Sequence, residues 1–162
     1  MFIIKLKHHI FSFFALIVYK IIYGRCFKVG KKTTWRSCLS VMIAKKGRII
    51  IGENCFFNNY CSLNANVGIT IGDNTLFGEN VKIYDHNHRF SDRGTPVAMQ
   101  GYSEAPVSIG SNCWIGSNVT VLKGANIGDG CVIGAGAVIS GTIPANTVVR
   151  HNTSLTFEKI RG

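Results

Sequence analysis

At 162 residues, 46% of them apolar, the chain has material for one domain with a sizeable core and no room for a second catalytic module. Eighteen Gly and three Pro among many Val, Ile, Asn and Thr favour a turn-rich β protein over a helical bundle or a disordered chain. The formal charge of +10 is concentrated in the first third, from Lys5 and Lys7 through Lys45, Lys46 and Arg48. No nucleic-acid motif accompanies it, which leaves an anionic membrane or phosphorylated substrates as partners by charge.

Residues 1–48 read as an apolar, basic leader, helical and then irregular. Met1 to Tyr23 is very apolar, and its run from Ile10 to Tyr19 is interrupted by Ser12 and closed by Lys20. That run falls short of the roughly 20 apolar residues that span a bilayer. No small-residue cleavage site followed by a polar start marks it as a signal peptide either. As a helix it would gather Lys5, His8, His9, Ser12 and Lys20 on a narrow polar stripe opposite a broad apolar one. Two roles fit equally: an interfacial helix resting on anionic lipid, and a helix that caps the end of the fold or packs between subunits.

From Ile51 an aliphatic residue recurs every six positions, followed by Gly or a small polar residue. The hexads beginning at Ile51, Phe57 and Leu63 are followed, after two extra residues, by those at Ile71, Phe77 and Ile83. A non-repeating loop, 89–108, breaks the pattern, which returns without a gap at Ile109, Ile115, Val121, Ile127, Ile133 and Ile139. Three hexads make one superperiod, so equivalent residues stack: Ile109 under Ile127, Ile115 under Ile133, Val121 under Ile139. Each short strand can bury its aliphatic residue only against neighbouring coils, and the core becomes a column. Asn and Gly between strands supply corner positions with positive φ. The period predicts an all-β fold, a triangular parallel β-helix over 49–147, with a C-terminal tail over 148–162.

The six cysteines form no CxxC pair and no zinc spacing with histidine. Cys55, Cys61 and Cys131 fall where a repeat needs a small buried residue, so a reduced packing role fits, as does a cytoplasmic location.

Ile51 to about Ala145, with this hexapeptide pattern, resembles the hexapeptide-repeat acyltransferases, above all the galactoside, maltose and surface-polysaccharide O-acetyltransferases. The resemblance, not the periodicity, implies a left-handed coil, since ordinary parallel crossovers are right-handed. It also implies a homotrimer and transfer of an acetyl group from acetyl-CoA, with no metal required.

Acetyl transfer from a thioester to an alcohol needs a base for the hydroxyl proton, an oxyanion donor and a slot for the long donor arm. Imidazole suits the base, because its unperturbed pKa is about 6.5. His8 and His9 lie in the leader and His151 in the tail, which leaves His86 and His88 in Asp85-His86-Asn87-His88, where a loop leaves the rigid scaffold. The spacing from Ile71-Gly72-Asp73-Asn74 resembles the galactoside acetyltransferase pattern and implies His88 as the catalytic base. The same alignment implies Asn58 as an acceptor-binding residue. Asp85 or Glu104 would orient or charge-stabilise an imidazole, and His86 would support the loop. A metal reading of the two histidines lacks a third ligand at a suitable spacing.

The donor slot resembles the family at Cys113-Trp114-Ile115-Gly116-Ser117-Asn118 and at Ile133-Gly134-Ala135-Gly136-Ala137. Trp114 takes an outward position in its hexad, where contact with the pantetheine arm, with the acceptor or with another subunit is open to it. The resemblance implies CoA contacts at Ser117, Ala135 and Ser140; small residues such as Gly136 let the arm approach the backbone, and Lys123 and Arg150 are cations available to its phosphates. Two positions depart from it: Gly141 stands where galactoside acetyltransferases have a lysine, and Arg150-His151-Asn152 replaces a turn with Gly and Pro. The segment from Asp85 to Gly101 is similar to enzymes of surface-polysaccharide assembly, which implies a sugar or lipid-linked glycan acceptor and a site at the inner face of the cytoplasmic membrane. Drug-modifying acetyltransferases and inert β-helical scaffolds remain as alternatives.

Overall fold

The computed structural model describes residues 2–44 and 46–152, with side chains from Ile10 onward. Strands of two to four residues stack into three flat faces. Face A runs in chain order through Phe27–Val29, Ile49–Ile51, Ile69–Ile71, Val107–Ile109, Asn126–Ile127 and Thr142–Ile143. Face B runs through Thr34–Trp35, Phe56–Phe57, Leu76–Phe77, Trp114–Ile115, Val132–Ile133 and Val148–Val149. Face C comprises Ser40–Ile43, Ser62–Ala65, Lys82–Tyr84, Thr120–Val121 and Val138–Ile139. Every pairing within these faces is parallel, so each coil visits A, B and C in turn and then climbs one layer.

The register is the one that the hexads predict. Ile109 pairs with Ile127, Ile115 with Ile133 and Val121 with Ile139. Three columns result, one behind each face, buried along their length and half-buried at the ends Val29, Ile143 and Val149: Val29 through Ile143, Trp35 through Val149, and Val41 through Ile139. Within the second, Phe57 and Phe77 stack nearly parallel with ring centroids 4.3 Å apart.

The solenoid opens earlier than the hexad count from Ile51 placed it. Residues 27–43, read as irregular leader, form a complete first coil. Val29, Trp35 and Val41 do keep the spacing of six, but the pattern is masked by its corners. Lys32 and Cys38 adopt φ of 60°, where later coils mostly use asparagine (Asn54, Asn74, Asn80, Asn112, Asn118) or glycine (Gly130, Gly136), with Tyr60 the exception in the second coil. The inserted segment also has different bounds from 89–108. The coil is left at Asp85, and His86–His88 pairs antiparallel with Tyr102–Glu104. The repeat resumes at Val107, which pairs with Ile69.

Buried cysteines and threonines form a ladder at the A to B corner. The side chains of Thr33, Cys55, Thr75, Cys113 and Cys131 each donate to a carbonyl one layer on, those of Gly52, Gly72, Gly110, Gly128 and Pro144. A small residue with one donor fits a corner too narrow for a longer side chain. Cys113 thus joins the three cysteines expected inside, and all six are free thiols.

The helix Phe2–Tyr23 covers the open end of the first coil. Ser12 is buried, Ala15, Leu16, Tyr19 and Tyr23 pack on the core, and the Tyr19 and Tyr23 hydroxyls donate to the carbonyls of Leu39 and Val41. The expected polar stripe therefore does not face outward throughout, since Ser12 lies against the solenoid. No helix among the described residues is long and apolar enough to cross a membrane.

Two measurements test this packing. A Cβ on Gly72 would lie 2.6 Å from the Ser111 nitrogen and 2.7 Å from the Gly110 carbonyl carbon, whereas one on Gly68 meets only the Arg48 side chain at 3.8 Å. Gly72→Ala should cost roughly 3 kcal/mol or more in urea unfolding. Gly68→Ala should stay within about 0.5 kcal/mol of the parent.

Burial pushes the Cys61 thiol up to about 11 from 9.0. Below pH 9 the thiol is neutral in both folded and unfolded chains, and its contribution is intact. Above that the unfolded chain releases its proton first, so this one group should lower stability by about 2 kcal/mol between pH 9 and 11. Urea midpoints against pH should show a shallower decline for Cys61→Ala than for the parent.

Candidate active site

The chain leaves face C of the third coil at Asp85, a fully buried carboxylate. Its Oδ1 accepts the N–H of Asn66 at 2.8 Å, and its Oδ2 accepts those of Val67 at 2.7 Å and Gly68 at 2.6 Å. These are the donors of the wider turn that holds the two extra residues of the second coil. Three backbone donors compensate the cost of burying the charge. Asp85 Oδ1 also lies 3.0 Å from Nδ1 of His86. A carboxylate accepts only, so His86 Nδ1 carries the proton and its Nε2 is left for other work.

His86 and His88 are two residues apart on one strand and so project to the same side. Tyr102, on the facing strand, lies between them, with its ring centroid 5.1 Å from that of His86 and 4.5 Å from that of His88. Glu104 pairs in backbone register with His86, but its Oε1 accepts from Asn66 Nδ2 at 3.0 Å. The expected carboxylate partnership thus falls on Asp85 and His86. His88 is exposed and makes no hydrogen bond among the described residues, resting instead on Tyr102.

Beyond His88 the loop folds on itself. Gln100 donates to the carbonyls of Asp92 and Thr95 at 2.8 and 2.7 Å and accepts from the Asp92 N–H at 3.1 Å. The Thr95 hydroxyl, followed by the Gly94 N–H, holds the Asp92 carboxyl below the usual carboxylate range. Arg89, Ser91, Asp92, Thr95, Met99 and Gln100 line an open, polar cavity of about 370 Å³ next in sequence to the histidines.

The remaining sequence-predicted residues divide between two corners of the triangular section. Asn58, Ser117, Ala135, Gly136 and Arg150 follow face B strands and lie at or towards the B to C corner. Trp114 stands on the outside of face B, 58% exposed between Leu76 and Val132. Lys123 and Ser140 follow face C strands and share the C to A corner with Asp85, His86, His88 and Glu104. Face C separates the two groups within one chain. Ser117 also supports the scaffold, its hydroxyl accepting the Glu79 N–H at 3.1 Å. No group of three His, Cys, Asp or Glu residues suited to a metal occurs among the described residues.

Sequence reasoning missed Tyr102, Asn66 and the cavity-lining loop residues. The alternation in Tyr102-Ser103-Glu104 against His86-Asn87-His88 was the only trace of the hairpin, too short to stand out beside the hexads.

Comparison with known proteins places this parallel three-faced β-helix, with its histidine-bearing insertion, in a class of transferases. A family model described as bacterial transferase hexapeptide (six repeats) matches residues 106–141. A putative lipopolysaccharide biosynthesis O-acetyl transferase of Escherichia coli K12 is 39% identical over 64% of this chain and 57% of its own. A maltose O-acetyltransferase structure from Clostridium difficile 630 is 34% identical, covering 80% of this chain and 67% of its own, with a TM-score of 0.63. A hexapeptide-repeat acetyltransferase of Vibrio cholerae, solved with acetyl coenzyme A, is 26% identical over 79% of this chain and 68% of its own, with a TM-score of 0.66. The chain belongs to the hexapeptide-repeat acetyltransferase family, and its fold is the left-handed parallel β-helix of that family. It spans 38% to 58% of the length of the curated relatives it matches.

Removing the Asp85 carboxylate should leave the N–H groups of Asn66, Val67 and Gly68 without their acceptor. Asp85→Ala should cost about 3 kcal/mol in stability. Amide exchange at residues 66–68 should accelerate more than elsewhere in the second coil, which native-state hydrogen exchange would read.

Proposed function

We propose that this chain transfers the acetyl group of acetyl-CoA to a hydroxyl of a sugar in surface-polysaccharide assembly, with His88 as the general base. The observation that carries this reading is the exposed imidazole of His88 on a hairpin braced from within the scaffold by Asp85, beside an open polar cavity. A relative named for lipopolysaccharide biosynthesis, a neighbour named a maltose O-acetyltransferase and another solved with acetyl coenzyme A support the substrate classes. His88 takes the proton of the acceptor hydroxyl as its oxygen attacks the thioester carbonyl carbon. The tetrahedral intermediate collapses, the carbon–sulfur bond breaks, and the imidazolium returns the proton to the CoA thiolate. The polar loop cavity of Arg89, Asp92 and Gln100 suits a hydroxyl-rich acceptor.

The donor arm would lie along the B to C corner at Ser117, Ala135 and Gly136 against Trp114, with Arg150 towards its phosphates and Asn58 towards the acceptor, while Lys123 towards the phosphates and Ser140 towards CoA would reach it from the histidine corner of the adjoining copy. Because face C separates that corner from the histidines, a complete site needs the donor corner of one copy beside the histidine corner of another. A homotrimer with sites between subunits meets that need.

A second reading makes His86 the base, since Asp85 orients its ring and leaves Nε2 as the acceptor. One pair of variants separates the two. With free CoA release as the readout over a panel of sugar acceptors, His88→Ala should lower kcat by about 10²- to 10⁴-fold, the usual worth of a positioned base. CoA affinity should hardly change, and His86→Ala should be milder. The reverse order would assign the proton to His86, and full activity in both variants would overturn the direct-attack mechanism.

A further inference from the structure

The helix that caps the solenoid uses only a narrow stripe to do so. Ser12, Leu16, Tyr19 and Tyr23 recur at helical spacing and lie against the first coil. The opposite side carries Phe11, Phe14, Ile17, Val18, Ile21 and Ile22, of which Phe14 is 62%, Ile22 61% and Ile21 78% exposed. An apolar face this continuous is rare on a monomeric surface and marks a contact. It lies across the end of the column, directed away from the coils.

The charge around this face selects its occupant. Glu53 is the first acidic residue of the chain, so the helix and the whole first coil carry cations without a single carboxylate. Arg25, Lys28, Lys46 and Arg48 line one cleft of about 220 Å³ beside the C-terminal end of the helix, and the exposed Lys31 and Lys32 turn lies on the same coil. A second copy docked symmetrically on the helix would set these cations against themselves. An apolar face with these cations beside it, and no acidic residue on its helix or first coil, is instead complementary to a bilayer surface, with acyl chains under the helix and anionic headgroups at its margin.

We propose that this end of the molecule is a peripheral docking surface for anionic membranes, with the helix lying in the interface plane and the solenoid standing on it. The proposal rests on the helix and the first coil, independently of the acetyl-transfer reading.

The test is flotation of the full chain with vesicles of phosphatidylcholine alone or with 30% phosphatidylglycerol. Binding should require the anionic lipid and fall at least roughly tenfold as NaCl rises from about 0.05 to 0.5 M, as screening predicts. Phe14→Glu/Ile21→Glu, at positions already exposed, and Arg25→Glu/Lys28→Glu should each reduce partitioning by roughly tenfold or more. Unchanged melting temperatures would exclude unfolding as the cause, and the charge pair serves if the helix pair disturbs the fold. Equal binding to neutral vesicles, or no binding by the parent chain, would overturn the proposal. So would a change of sedimentation state in Phe14→Glu/Ile21→Glu without loss of lipid binding, which would make the face a contact between copies.

Discussion

Burial of one aliphatic or aromatic side chain per strand against the layers above and below is the constraint from which the rest of this molecule follows. A strand of two residues has no stability of its own, and only parallel pairing with its equivalents in adjacent coils satisfies its backbone and covers its apolar side chain. Coils must therefore approach to the spacing of paired strands, which is why Gly52, Gly72 and Gly110 stand where any Cβ would strike the next backbone. Corners must turn without widening the prism, which is why asparagines at positive φ recur and why Thr and Cys donors bond the next layer.

A column of this kind has two exposed ends and a repetitive side. Function accordingly enters where the repeat is broken. The first break is the wider turn of residues 66–68, and its donors are held by Asp85 in the coil above. The same carboxylate marks the point where the hairpin departs and positions His86. One buried charge thus ties a defect in one layer to the candidate site in the next, and the hairpin gains a rigid footing although its tip is exposed.

The second break is the end of the column. The helix removes the first coil from water at little cost in its own apolar surface, and most of that surface is left uncovered. The histidine strand leaves the third coil, two layers from the capped end, or about 10 Å at the spacing of paired strands. An acceptor held at a lipid surface would lie within the reach of a short glycan from that strand.

The β-helix and its register can be read from the residues alone. Spacing of six reports the periodic burial directly, so the stacking of Ile109 on Ile127 and of Val121 on Ile139 is legible in the chain. It also singled out the tetrapeptide that ends at His88, because histidines at the edge of a repeat are conspicuous. The first coil was less legible, because Lys32 and Cys38 occupy corners where most later coils carry asparagine or glycine. Tertiary structure alone decided three matters. Asp85 serves three amides of the preceding coil and the neighbouring imidazole, a set of contacts across 17 to 19 residues that no local pattern encodes. Tyr102 meets the histidines through an antiparallel pairing outside the hexad period. Ser117, Ala135 and Gly136 fall at a different corner from His86 and His88 because each face turn sends consecutive hexads in different directions, and a linear repeat records the order of those turns without the distance between them.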